Sequence, residues 1–213
     1  MGTKNSLAEI LGRHRRIIVT ITGNDEIKNV LKQFGYTDER LASGAELLRK
    51  VETDFEIQKK EHAEAFVATQ NYVEARENKK EIFRKDMKLL RIAAKASTEL
   101  DRILPPTLDI TNSREFYKVA SAVYQNLANN PAHAAALATV GLKTSIFTER
   151  LASIKELDEL MVIRDKETAE ANVATEIRDQ ELDLLNSFCM DLRTVARVAL
   201  SDNPVLKRIV DEL

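Results

Sequence analysis

Apolar side chains recur near the start of the chain at Leu7, Ile10, Leu11, Ile17, Ile18 and Ile21, with His14 in line between them. This is the i, i+3, i+4, i+7 spacing of one helix face. Within it, Ile17 to Ile21 form a β-branched run, "IIVTI", that local propensity alone would place in a strand. Later, Phe116, Tyr117, Ala120, Val123, Tyr124 and Leu127 repeat the stripe without such a run. Propensity is a weak prior beside a sustained period. The pattern predicts two helices, over about 6–22 and 113–128. Each opens on a capping-box pattern, Ser6 with Glu9 and Asn112 with Glu115.

The two stripes lie 106 residues apart, and the same offset relates much of the remaining chain. "IQKKEHAEAFVAT" (57–69) matches "IRDKETAEANVAT" (163–175) at nine of thirteen positions without a gap. The offset also aligns Asn24 with Asn130, Leu31 with Leu137, Gly35 with Gly141, Arg91 with Arg197, and "LDRI" (100–103) with "LKRI" (206–209). So many matches at one offset predict an internal duplication, repeat 1 over 1–106 and repeat 2 over 107–213.

Within each repeat, Asn24 or Asn130 caps a short second helix, and Pro131 suits its first turn. Gly35 or Gly141 stops that helix, because glycine accepts the left-handed exit. Thr37 and Thr144 are candidate caps for the next element. Past Gly44 no glycine or proline occurs until Pro105, and past Gly141 none occurs until Pro204. One helix of about 60 residues, close to 90 Å at 1.5 Å per residue, follows in each repeat. A short closing helix then carries Leu100 and Ile103, or Leu206 and Ile209.

A hairpin bent near Asn71 or Asn78 is the alternative to each long helix, and composition opposes it. Leu41, Leu47, Leu48 and Val51 crowd one end of the first long stretch; Phe83, Met87, Leu89, Leu90 and Ile92 crowd the other. The second stretch is built alike, with an Ala-rich waist between dense ends. Two antiparallel long helices, pairing residue n with about 240−n, would set Lys79, Lys80 and Arg84 beside Glu156, Asp158 and Glu159 in coiled-coil fashion. Each waist would meet the other copy of itself, a self-complementary contact. The fold class expected is all-α, with short helices completing a four-helix bundle at each end of a dumbbell.

Composition sharpens this picture. Charged residues make up 31% and hydrophobic ones 44%, with 6 Gly, 4 Pro and no Trp, which suits a globular helical protein. A net charge of −2 gives no bulk attraction to nucleic acid or anionic membrane. A single cysteine, Cys189, excludes an internal disulfide and fits a reducing, cytoplasmic setting. No secretory signal and no membrane span is expected. Gly2 with Ser6 completes a loose N-myristoylation pattern, for which helix capping by Ser6 is the better use.

Candidate chemistry is sparse. None of His14, His62 and His133 has Asp, Glu or His three or four residues away, so the Glu-x-x-His pairs of a carboxylate-bridged di-iron bundle are missing. His14 on the core stripe reads as a structural imidazole, and Cys189 as a buried inert thiol. No phosphate loop, nucleophile elbow or CxxC motif occurs. The expectation is a non-enzyme with no metal and no cofactor.

Two surface features differ between repeats. Arg13, Arg15, Arg16, Lys28 and Lys32 form a candidate anion patch, and residues 1–106 carry 20 basic and 17 acidic side chains against 12 and 17 in 107–213. The stretch "PAHAAALATV" (131–140) is apolar nearly all round. Either this helix sits deep in its bundle, or it offers Ala132, Ala134, Ala135 and Ala138 as a candidate interaction surface for a protein partner or a homodimer.

"FGYTDERLASGAELL", "AEAFVAT" and "ARVALSDNP" together resemble a family of uncharacterised bacterial proteins with a tandem helical repeat. The resemblance covers nearly the whole chain and implies the fold, but no catalytic residue. The function expected is a helical scaffold or protein–protein interaction protein, with nucleic-acid or phosphate-ligand binding through the basic patch as the alternative.

Overall fold

A computed structural model describes residues 6–107, 110 and 112–213. Among them every regular element is helical. The N-myristoylation pattern at Gly2 lies outside the described residues. The helices are α1 (Leu7–Gly23), α2 (Asp25–Lys32), α3 (Asp38–Ala94), α4 (Thr98–Ile103), α5 (Ser113–Asn129), α6 (Ala134–Ala138), α7 (Thr144–Ala199) and α8 (Pro204–Asp211). A 3-10 turn, Pro131–His133, leads into α6. The β-branched run lies inside α1, with Ile17, Ile18 and Ile21 buried. α3 and α7 are each one unbroken helix, with no hairpin at Asn71 or Asn78.

Side-chain caps set most of the boundaries. Ser6 and Glu9 form the reciprocal box: Ser6 Oγ accepts from Glu9 N at 3.3 Å, and Ser6 N donates back to Glu9 Oε2 at 2.7 Å. Asn112 bonds Arg114 N at 2.9 Å instead, without the return bond expected from Glu115. Asn24 caps α2 through Ile27 N, and Asn130 caps the 3-10 turn through Ala132 N. Gly35 and Gly141 take φ of 79° and 75°, the left-handed exits that their spacing required. Thr37 accepts from Arg40 N at the start of α3. Thr144 does not cap α7 but is its first residue, and Ile146 N bonds the Lys143 carbonyl.

The chain divides into two compact units. The first joins the segment ending at His62 to Glu170–Leu213, and the second is Ala63–Ala169. In the first unit α1, α2, the first part of α3, the last part of α7, and α8 enclose one core. Ile21, Ile27, Leu31, Val51, Leu185 and Leu192 lie at its centre, almost without solvent contact. In the second, the last part of α3, α4, α5, α6 and the first part of α7 do the same. There Phe83 packs edge-on against Phe116 (5.9 Å) and Tyr124 (5.4 Å), and Tyr124 lies tilted over Phe147 (5.9 Å). Each such ring contributes about 1.5–3 kcal/mol by burial alone.

The long helices α3 and α7 pack together and run antiparallel within each unit. In the first unit, Lys50 reaches Glu181 at 2.5 Å and Gln58 lies 3.4 Å from Thr175. In the second, Lys79 pairs with Glu156 at 3.4 Å. Glu156 is one of the acids expected beside Lys79, but the partners fall between one and three helical turns short of the 240−n register. Two apolar residues assigned to the dense ends, Leu89 and Ile92, face solvent. A helix has room for only part of its circumference in the core.

Candidate functional site

The first unit carries a cleft of about 350 Å³ between α1 and α3, floored by Ala8, Leu11, Gly12 and Phe55. Its rim is charged but internally matched: Arg15 Nη2 meets Glu52 Oε1 at 2.7 Å, and Lys59 pairs with Glu56 while covering the Phe55 ring at 4.1 Å. The second unit holds a smaller cavity of about 90 Å³, lined by Tyr72, Tyr117, Leu157 and Met161 with Ser113, Arg114 and Asp158. That is space for about three waters. Arg76 donates to Ser113 Oγ at 2.8 Å, and the Arg164 guanidinium stacks on Tyr72 at 4.5 Å.

The five residues of the anion patch lie on α1 and α2, but acids hold three of them. Arg15 is paired with Glu52, Lys28 with Asp25 at 2.6 Å, and Lys32 with Asp38 at 2.8 Å. Those pairs raise the Lys28 pKa and lower that of Asp25, each mainly through the shared hydrogen bond. Arg13 and Arg16 are exposed and have no ion pair among the described residues. The Ala residues divide cleanly: Ala132, Ala134, Ala135 and Ala138 are exposed, while His133, Ala136 and Leu137 face the core.

His14 is buried, and its Nε2 is hydrogen-bonded to Asn186 Oδ1 across the first unit. His133 is buried too, with Nε2 on its neighbour Asn130. His62 is exposed and contacts Thr175 Oγ1 at 3.0 Å. Cys189 sits in the first core, and burial pushes its thiol up to about 12. A thiol reagent at pH 8 is therefore expected to label the native chain only through unfolding, with full labelling in denaturant; fast native labelling would show an open core. The unfolded thiol loses its proton from about pH 9, while the folded one holds it to about 12. Stability falls with rising pH across that window, because the folded state binds more protons.

One constellation escaped the hydropathy pattern. In the second unit the Tyr124 hydroxyl donates to Asp86 Oδ2 at 2.8 Å, and Arg150 Nε donates to the same oxygen at 3.2 Å. Asp86 and Tyr124 are buried, and Arg150 keeps about a third of its side chain in water. Burial first, and then the Asp86 charge, raises the Tyr124 phenol well above its usual range. Both donors converge on one carboxylate oxygen, and neither cavity opens onto it. Its positional signal was the offset itself, since Asp86, Tyr124 and Arg150 align with Leu192, Ile18 and Gly44.

Comparison with protein-family models, with curated proteins and with solved structures finds no match to this chain. No helix among the described residues is long and apolar enough to cross a membrane.

Proposed function

We propose that this chain is a non-enzymatic scaffold that binds a protein partner, built from two copies of one helical repeat. Each long helix ends among the short helices of the other repeat, so that each unit is a four-helix bundle. The reading is supported above all by the exposed face of Ala132, Ala134, Ala135 and Ala138. A short helix held in its bundle by Ala136 and Leu137 needs one apolar face, not two. Small side chains with no polar groups suit close approach of a partner's helix.

Ala135→Glu tests it. Ala135 is exposed, so helicity and melting temperature should change little, by about 0.5 kcal/mol or less. A partner recovered from the native host by the unaltered chain should be lost by the variant at physiological salt. Retention of every specific partner would refute the Ala face. The alternative, phosphate-ligand or nucleic-acid binding through Arg13 and Arg16, predicts a steep salt dependence and loss of binding on neutralising those two. The acids on Arg15, Lys28 and Lys32 weigh against it.

A further inference from the structure

We propose that the buried polar groups of the two units form a pairing code, which lets each repeat close with the other and excludes closure with a second copy of itself. The inference rests on the duplicated layout proposed above. The need for such a code is in the sequence. Segments 57–69 and 163–175 match at nine of thirteen positions, so the middle of either long helix could pair with its own kind.

Three sets of matched positions differ between the units, each in a complementary way. In the first unit α7 sets Asn186 against the larger His14 of α1. The matching positions are Lys80 and Ala120, where the long side chain has moved to the long helix. Ala120 is fully buried, and Lys80 lies along the same α5, 5.9 Å over the Phe116 ring one turn earlier and 3.6 Å from Glu77. The second set is the triad of Tyr124, Asp86 and Arg150, which in the first unit is Ile18, Leu192 and Gly44. The third is steric. A Cβ on Gly44 would stand 2.1 Å from the Phe188 ring, whereas the matching pair is Arg150 and Ile82.

Closing repeat 1 on a second repeat 1 would bury Asp86 against Ile18 and Gly44, with neither donor. It would crowd Lys80 onto His14 and leave a gap where Gly44 met Ile82. Closing repeat 2 on a second repeat 2 would face Tyr124 and Arg150 with Leu192. It would drive Phe188 into Arg150 and bury Asn186 beside Ala120 without its imidazole. A buried carboxylate without donors is strongly unfavourable. Only the pairing of unlike repeats matches all three sets, though His14 Nδ1 stays without a hydrogen-bond partner even there; specificity is this difference between alternatives.

Refolding of the full chain is the test, read by light scattering after dilution from urea at low and high protein concentration. The unaltered chain should return to a single species. Copying the first unit into the second (Asp86→Leu, Tyr124→Ile, Arg150→Gly) and the second into the first (His14→Ala, Asn186→Lys) removes the first two distinctions and, because Arg150 belongs to both the second and the third set, the clash of the third. Asp183 stands three residues before Asn186, as Glu77 does before Lys80, so the new lysine has its acid. The combined variant should raise the share of species of twice the mass at least about tenfold, a shift of about 1.4 kcal/mol. Should it not fold, His14→Ala with Asn186→Lys alone should still show an excess over the unaltered chain, smaller because the other two sets remain in place. Leu100→Ala, which destabilises the second core from α4, a helix that carries no member of the matched sets, should refold to one species. Clean refolding of the code variants, or as much dimer from Leu100→Ala, would overturn the code. Partner capture has no part in this readout, so the scaffold reading and the pairing code fail separately.

Discussion

Gly44→Leu is expected to lower the melting temperature of the chain by roughly 6–12 °C, corresponding to about 3 kcal/mol. Taken alone, glycine inside a helix is unfavourable by about 1 kcal/mol against alanine or leucine, so local propensity predicts the opposite sign. The neighbour reverses it. A Cβ at position 44 would lie 2.1 Å from Cε1 and 2.3 Å from Cζ of Phe188. That ring, half-buried against the first core, is itself held edge-on by Tyr36, with centroids 6.2 Å apart, and must give up that contact to swing aside. Gly44→Ala should show the same sign with a smaller loss, about 1–2 kcal/mol after the propensity gain. Pairing Gly44→Leu with Phe188→Ala should restore most of the loss, which a urea-unfolding cycle over the four proteins would measure. A stabilised Gly44→Ala would mean that the ring and α3 do not meet.

This glycine marks the limit of what the sequence discloses. Caps and stops are local chemistry, so Ser6, Asn24, Asn130, Gly35 and Gly141 could be placed from a few neighbours each. The burial of His14 and Cys189 followed from helical period alone. Gly44 has no local signature, because its reason stands on another helix 144 residues away. Lys80 and Asp86 escaped for a related cause. Hydropathy sends any charge to solvent, whereas both are buried, Lys80 with Glu77 at 3.6 Å and Asp86 with Tyr124 and Arg150 as donors. The register of α3 on α7 was also out of reach. An Ala-rich waist fixes which faces meet more firmly than which turns meet, and the contacts fell between one and three turns from the expected place. The candidate patches were legible as positions, but not as states: the Ala face is open, while the basic patch is largely matched by acids that hydropathy did not pair with it.

Asp86→Ala should destabilise the second unit by about 3 kcal/mol, read as a lower urea midpoint with the slope unchanged. The carboxylate accepts from a buried phenol and from a guanidinium, and removing it strands both donors. The value sits at the low end for a broken buried pair, since Arg150 is only partly withdrawn from water and can recover some hydration. Tyr124→Phe should lose less, about 1–2 kcal/mol, because Asp86 then keeps Arg150 as its partner. Replacing all three groups together, by Asp86→Leu, Tyr124→Phe and Arg150→Met, should return most of the lost stability. No polar group is then left without its partner, and apolar side chains of similar volume fill the core at least as well. The order of the three effects is the informative part. If Asp86→Ala cost under about 1 kcal/mol, or if the triple replacement were worse than the single one, the network would be a surface ornament rather than a buried unit. Stability would then give it no means of choosing between like and unlike repeats.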